Sequence, residues 1–120
     1  MSTPTPPERL SDSAYHALAQ QLLAGIESQV DRWLEDDVVD IDAARTGGLL
    51  ELSLPGGSKI VVNTQPPLQE IWLAARRGGF HYRYAAGAWR DTKSGDEFLA
   101  TLSACASEQA AQPLSFGAAA

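Results

Sequence analysis

The sequence predicts an α+β fold, a two-layer sandwich in which two terminal helices pack on one face of an antiparallel sheet of about six strands. Apolar residues recur every three to four positions near both ends of the chain and every second position between them. The turns between the alternating segments are too short for parallel crossovers. The chain has 120 residues, enough for one domain with one core.

The first helix is predicted to follow a proline-rich N-terminus. Residues 1–10 hold three prolines and few apolar side chains, so we expect a disordered tail. Ser11 or Asp12 can supply the N-cap oxygen of the helix. Helical spacing then places on one face Tyr15, Leu18, Leu22, Ile26, Val30 and Trp33.

Alternating hydrophobicity predicts the strands. In the first of them Val39 and Ile41 alternate with Asp40 and Asp42, which share one side of the strand. Glycine pairs fit hairpin turns, and the prolines after Gln65 interrupt the ladder because proline donates no hydrogen bond. Further strands are predicted at 50–54, 58–63, 68–75, 80–84 and 88–91.

The second helix is predicted to begin at a capping box, with Ser94 as the N-cap and Glu97 three residues later. Pro113 ends this helix, and residues 118–120 are expected to fray, so the domain spans residues 11–117. The apolar positions on its inner face and after its end are Phe98, Leu102, Cys105, Gln109, Leu114 and Phe116.

Composition and charge exclude several classes of function. One cysteine and two histidines cannot form an internal disulfide or a Cys/His zinc site. A net charge of −6 weighs against binding to nucleic acid. No apolar run suits a membrane span or a secretory signal, so we expect a cytoplasmic protein. Phosphate-binding and nucleophile motifs are absent, and we expect a binding protein rather than an enzyme.

Acidic side chains are concentrated in one part of the chain. Residues 1–42 hold nine acidic and two basic residues, whereas residues 43–93 hold three acidic and seven basic ones. A row of exposed carboxylates would bind hard cations such as ferrous iron, Mn²⁺ or Ca²⁺ weakly. A solvated face that only aids solubility explains the same pattern. The candidate residues are Glu27, Asp31, Glu35, Asp36, Asp37, Asp40 and Asp42.

Trp72 is a candidate partner contact. If residues 68–75 form a strand, Trp72 lies on the face opposite Ile71 and Leu73. Because two helices cover only one face of the sheet, one of these sets points outward. An outward Trp beside Asn63 and Gln65 is typical of an interface anchor, and a second small core is the alternative.

Several motifs resemble those of the bacterial frataxin family. Residues 63–74, NTQPPLQEIWLA, are similar to the family signature N-x-Q-x-P-x-x-x-x-W-L-A. The segments at 57–63, 78–82 and 91–98 also resemble the family and occur in the same order. The resemblance covers about residues 11–116 and implies a sandwich of two helices on an antiparallel sheet.

The same resemblance implies a role in iron–sulfur cluster assembly. Frataxins bind iron weakly through acidic residues of the first helix and first strand, and they bind a cysteine desulfurase and, with it, the scaffold protein. By position, the resemblance implies acidic or metal-contacting residues at Asp12, His16, Glu27, Asp31, Asp40 and Asp42. It implies partner contacts on the sheet at Asn63, Gln65 and Trp72.

We therefore expect a monomeric, iron-binding modulator that docks on the desulfurase and scaffold through its acidic residues and its Trp72 face. The acidic residues expected to contact the partner are Glu27, Asp31, Asp40 and Asp42. An iron store, ferroxidase or iron donor is the alternative, but a flat surface with few histidines supplies closely spaced ferrous sites poorly. A plain acidic domain without a metal role is a third interpretation.

Overall fold

A six-stranded antiparallel sheet is the frame of residues 9–117, the part of the chain that this computed structural model describes. The strands lie side by side in chain order, so the sheet is a meander with β1 and β6 at its edges. Two α-helices share one hydrophobic core with the sheet, and the predicted α+β fold is confirmed. The elements are α1 (Asp12–Glu35), β1 (Asp42–Thr46), β2 (Leu49–Ser53), β3 (Lys59–Gln65), β4 (Glu70–Ala75), β5 (Gly78–Ala85), β6 (Ala88–Asp91) and α2 (Phe98–Ala110).

Helix α1 begins where its sequence predicts. The Ser11 hydroxyl accepts a hydrogen bond from the backbone N–H of Ala14 and so caps the helix. The helix buries one residue every three to four positions, which is the period expected for an amphipathic helix. These buried residues are Tyr15, Ala19, Leu23, Ile26, Val30 and Trp33.

The C-terminal end of α1 is a Schellman motif. The backbone N–H of Val38 donates to the carbonyl of Trp33, and that of Asp37 donates to Leu34. Asp37 adopts a left-handed conformation, with φ +57°, at the position that most often holds glycine. The motif turns the chain sharply from α1 toward the edge strand β1.

The core lies between the helices and one face of the sheet. Leu114 and Phe116 follow α2 and are buried, as predicted, and the Phe116 ring meets Trp33 edge-on with 4.8 Å between centroids. Neither helix in residues 9–117 combines the length and the apolar character that a membrane span requires. The largest fully buried side chains include Tyr82, Phe98, Leu23, Ile26, Leu50, Leu52, Ile60, Ile71 and Leu73.

The predicted capping box is wrong, because α2 begins three residues later with Glu97 as its N-cap. The Glu97 carboxylate accepts from the backbone N–H of Leu99. The preceding residues cannot be helical, since Asp91 accepts the backbone N–H groups of Lys93 and Ser94 and closes a turn after β6. Gly95 completes that turn in a left-handed conformation, with φ +80°.

Two predicted strands also begin earlier in the sequence than the observed ones. Pro66–Leu68 form a 3₁₀ turn and Gln69 is left-handed, with φ +53°, so β4 begins only at Glu70. At the first strand, the predicted alternation of buried and exposed residues starts at Val39, but pairing with β2 starts at Asp42.

The chain termini bear on the predicted domain limits. Residues 1–8 of the predicted tail and residues 118–120 of the predicted frayed end lie outside the described residues. Leu10, the last residue of that tail, donates its backbone N–H to the Gln69 side chain (3.1 Å) and accepts from it (2.6 Å). It also packs against the core.

Candidate metal and partner-binding surfaces

Six exposed carboxylates form a row from the end of α1 to the start of β1, which we name the acidic ridge. Asp31 and Glu35 lie one helical turn apart, about 6 Å along the axis. Asp40 and Asp42 point outward because the residues between them and before them are buried. Since β1 is an edge strand, no further strand covers this side of the sheet. The acidic ridge comprises Asp31, Glu35, Asp36, Asp37, Asp40 and Asp42.

The charges of the acidic ridge are not compensated within the described part of the chain. None of its six carboxylates forms an ion pair with another residue of 9–117. Arg32 is the basic residue in the last turn of α1, and it donates to Gln29 instead. Anions near a helix C-terminus also oppose the helix dipole. The acidic ridge therefore lowers the stability of the folded state, so folding does not explain why these carboxylates cluster.

The acidic ridge lacks the geometry of a closed metal cage. Among residues 9–117, no three His, Cys, Asp or Glu side chains converge as ligands for a metal ion. Carboxylate oxygens are nevertheless suitable ligands for hard cations, which keep part of their hydration shell on such a surface. The donor set of the ridge fits weakly held, hydrated iron.

Glu27, predicted to belong to the acidic site, is set apart by Arg45. The Arg45 Nη2 atom lies 3.0 Å from Glu27 Oε1, and the two side chains are only 25% and 31% exposed. Arg45 also donates to the Gln20 side chain. Because Arg45 pairs with Leu50 in the sheet register, it lies on the side of β1 that faces α1. The charge of Glu27 is thus compensated internally, a contact that sequence reasoning missed.

Asp12 and His16, also predicted as metal ligands, lie far from the acidic ridge. Both are exposed in the first turns of α1, and His16 lies 15 positions before Asp31, about 22 Å along the helix axis. They line a shallow pocket together with Ser13, Tyr15, Pro66 and Pro67. The structure therefore divides the predicted metal ligands between the two ends of α1.

Two apolar side chains are exposed among the carboxylates of the ridge. Leu34 is 53% exposed and Val38 is 43% exposed. They flank the turn that contains Asp36 and Asp37. An acidic surface that served only to keep the protein in solution would not need exposed apolar side chains. Protein interfaces, in contrast, combine apolar contacts with a charged rim.

The outer face of the sheet carries a second group of side chains, which we name the Trp72 patch. Trp72 is half-buried on the face opposite Ile71 and Leu73, as predicted, and it pairs with Asn63 across the strands. The His81 ring stacks on the indole with 4.3 Å between centroids and an 8° angle between planes. The Trp72 patch comprises Asn63, Gln65, Glu70, Trp72, His81 and Arg83.

Glu70 joins the members of the Trp72 patch, and sequence reasoning missed it. The Trp72 indole N–H donates to Glu70 Oε1 (2.8 Å), and the Arg83 Nε–H donates to Glu70 Oε2 (2.9 Å). His81 Nδ1 lies 3.8 Å from Glu70 Oε1. The sequence could have indicated Glu70, because it lies two positions before Trp72 and alternate residues of a strand share one face.

Tyr15 supports the Trp72 patch from the core side. Its hydroxyl donates to the backbone carbonyl of Glu70 (2.7 Å) and accepts from the backbone N–H of Gln65 (3.1 Å). Burial raises the pKa of Tyr15 above its usual value, so the hydroxyl stays protonated and keeps both bonds. Helix α1 thereby fixes the strand ends that carry Gln65 and Glu70.

Comparison with known proteins places this geometry in a family. The protein-family model of the frataxin-like domain matches residues 8–112 of this chain. The iron–sulfur cluster assembly protein CyaY of Burkholderia mallei (strain SAVP1) is 50% identical over 109 residues, covering 91% of this chain and 100% of the relative.

Solved structures agree with the sequence comparison. The frataxin of Psychromonas ingrahamii, of the CyaY family, superposes with a TM-score of 0.79 at 38% identity, covering 90% of this chain and 99% of that one. Trimeric yeast frataxin complexed with ferrous iron gives a TM-score of 0.64 at 20% identity, covering 92% and 94% of the two chains. At that identity the yeast protein supports the fold alone.

Proposed function

This chain belongs to the frataxin-like family, and from that membership we propose that it takes part in iron–sulfur cluster assembly. In this proposal it is an iron-binding modulator and not an enzyme. It docks on the cysteine desulfurase and its scaffold protein through the acidic ridge and the Trp72 patch. The relative from Burkholderia mallei is a cluster assembly protein, and this chain spans its full length.

The acidic ridge is the observation that carries the proposal. Its six carboxylates are exposed and uncompensated within residues 9–117. A basic surface on the desulfurase would be attracted to them, which raises the association rate and makes binding sensitive to salt. The exposed Leu34 and Val38 favour a protein partner over a purely ionic surface, because they add apolar contact area at the centre of the charges.

Iron gives the docking a means of control. Ferrous iron held by ridge carboxylates would neutralise part of their charge, and the attraction to a basic partner would fall accordingly. The strength of docking would then follow the iron concentration. Trimeric yeast frataxin, which shares this fold, was solved in complex with ferrous iron.

The Trp72 patch supplies the second contact, toward the scaffold protein. Trp72 is half-buried on the face that the helices do not cover, with Asn63 directly opposite on the neighbouring strand. Trp is among the residues that contribute most to protein interfaces. We expect Trp72→Ala to weaken binding while lowering the free energy of unfolding by less than about 3 kcal/mol, since no core cavity is created.

Desulfurase turnover tests the proposal directly. It is measured with and without this protein, at low and high ferrous iron, under anaerobic conditions. We expect the protein to change turnover and the size of the change to depend on iron. A variant with Asp31→Asn, Asp40→Asn and Asp42→Asn should lose the effect. The matched control, which also removes three charges, carries Glu51→Gln, Asp96→Asn and Glu108→Gln and should keep it. Desulfurase turnover that is unchanged by the wild-type protein at both iron levels would contradict the proposal.

Oxygen consumption per added ferrous ion separates this function from an iron store or ferroxidase. Ferroxidase chemistry requires closely spaced, fixed ferrous sites, and no three ligands converge among residues 9–117. We therefore expect no oxygen uptake above that of buffer containing the same iron. Rapid stoichiometric uptake would favour the alternative.

A further inference from the structure

The carboxylate of Glu70 is buried on a sheet face that otherwise meets solvent. Its side chain is 8% exposed, whereas those of His81 and Arg83 are 50% and 45% exposed. Removing a carboxylate from water is costly unless charged groups and hydrogen-bond donors replace the water. The burial of the Glu70 carboxylate therefore requires charged groups and hydrogen-bond donors from its neighbours, and those groups in turn are held by the carboxylate.

Those neighbours surround the indole of Trp72 on two sides. One oxygen of Glu70 accepts the indole N–H at 2.8 Å, and the other accepts Arg83 Nε–H at 2.9 Å. His81 lies parallel to the indole at 4.3 Å, with its Nδ1 atom 3.8 Å from the same carboxylate. Four side chains from two adjacent strands thus form one connected network.

We propose that Glu70 is a positioning residue, which fixes the orientation of Trp72 and His81 before a partner binds. The inference rests on the proposed function, in which Trp72 contacts the scaffold side of the complex. Because the indole N–H is bonded to Glu70 and one indole face is covered by His81, a partner meets the other face and the carbon edge. This surface fits an apolar pocket and not a hydrogen-bond acceptor.

Preorganisation explains why a buried carboxylate would be useful there. A side chain that is already held in its bound orientation loses less conformational entropy on association. Without Glu70, Trp72 would sample several rotamers, and His81 and Arg83 would lose their shared anion. We expect such a change to weaken binding by about tenfold, the scale for immobilising one or two side chains.

The free protein tests the positioning role without any partner. The chain has three tryptophans, of which Trp33 and Trp89 are buried, so three indole N–H signals are expected in a ¹⁵N–¹H spectrum and loss of one in Trp72→Phe assigns Trp72. In Glu70→Ala we expect the Trp72 indole hydrogen to exchange about tenfold faster, because its acceptor is gone. Glu51→Ala, which removes another outer-face carboxylate, should leave the rate unchanged. An unchanged rate in Glu70→Ala would overturn the proposal.

A conservative variant keeps this experiment decisive if Glu70→Ala folds poorly. Glu70→Gln preserves shape and an acceptor oxygen but removes the charge that attracts Arg83 and His81. We expect its exchange rate to lie between those of the wild type and Glu70→Ala. Exchange equal to that of the wild type in Glu70→Gln would count against positioning by the carboxylate.

Binding to the desulfurase–scaffold complex supplies the second readout. Affinities are measured for the wild type, Glu70→Ala, Trp72→Ala and the double variant. If Glu70 acts through Trp72, its substitution costs about tenfold in the wild type and nothing further in Trp72→Ala. Equal losses in both backgrounds would refute positioning. If the wild type itself fails to bind, the proposed function fails, and the exchange rates alone decide the role of Glu70.

Discussion

Individual residues adopt backbone conformations that their side chains disfavour. Among residues 9–117, four residues other than glycine have positive φ angles, and each lies in a turn or at a helix end. Asp37 and Ala111 follow the ends of the two helices, whereas Gln69 precedes β4 and Ala86 lies between β5 and β6. A left-handed conformation costs an L-residue roughly 1–2 kcal/mol, and Asn tolerates it better than Ala.

Ala86→Asn should stabilise the protein. Ala86 and Gly87 are the two central residues of the β5–β6 hairpin, with φ +52° and +79°, which is the pattern of a type I′ turn. Asn-Gly is the preferred sequence for that turn. We expect the free energy of unfolding to rise by about 0.5–1 kcal/mol in urea denaturation. Ala43→Asn, in an exposed strand position with a negative φ, is the control and should give no gain.

The buried hydroxyl of Tyr82 should make stability fall at high pH. Burial raises the pKa of Tyr82 to about 12, and this hydroxyl has no hydrogen-bond partner among the described residues. An unfolded tyrosine loses its proton near pH 10, so the unfolded state is favoured progressively as pH rises from about 10 to about 12. The stabilisation is complete below pH 10 and is lost through the folded pKa.

Denaturation at pH 9, 10 and 11 measures this effect. We expect the stability of Tyr82→Phe to depend less on pH than that of the wild type across this interval. The comparison isolates Tyr82 because the two proteins differ only in the presence of its hydroxyl group. Parallel curves for the two proteins would show that Tyr82 does not contribute.

Secondary structure elements were predictable to the extent that their signals are local. The period of α1 and the alternation in the strands are set by burial, so the sequence reveals them directly. The start of α2 was not predictable, because Ser94 and Glu97 have capping-box spacing, whereas Asp91 accepts the backbone N–H groups of Lys93 and Ser94 and holds Ser94 in a turn. The competing turn depends on β6 and cannot be seen in the spacing alone.

The contact between α1 and the edge strand β1 depends on Arg45. Arg45 bonds both Glu27 and Gln20 from the helix-facing side of β1. Arg45→Met keeps the length of the side chain but removes these bonds, and it should lower the free energy of unfolding by about 1 kcal/mol. The exposed pair Lys59–Glu51 offers a control, since Lys59→Met should cost less than about 0.5 kcal/mol. Equal losses would show that the Arg45 contact has no special role.

The whole molecule carries its charges on opposite sides. The acidic ridge lies beside β1, whereas the basic surplus of residues 43–93 falls largely on β5, β6 and their adjoining turns. Five strand spacings separate the two edges of the sheet, about 24 Å. Such a separation orients the molecule in the field of a charged partner before contact.

The candidate site was only partly predictable at this scale. Exposed acids were visible in composition and alternation, and the outward face of Trp72 followed from strand parity. The compensation of Glu27 by Arg45 and the network around Glu70 were not visible. Both arise from pairing between distant residues, which requires the register of the sheet.

Affinity for the cysteine desulfurase, measured for two charge-matched variants, tests the central role of the acidic ridge. One variant carries Asp31→Lys, Asp40→Lys and Asp42→Lys, and the other carries Glu51→Lys, Asp96→Lys and Glu108→Lys, so both change the net charge equally. We predict that the ridge variant, folded by circular dichroism, loses binding by at least about a hundredfold while the control stays within about fivefold of the wild type. Equal affinities for the two variants would contradict docking through the acidic ridge.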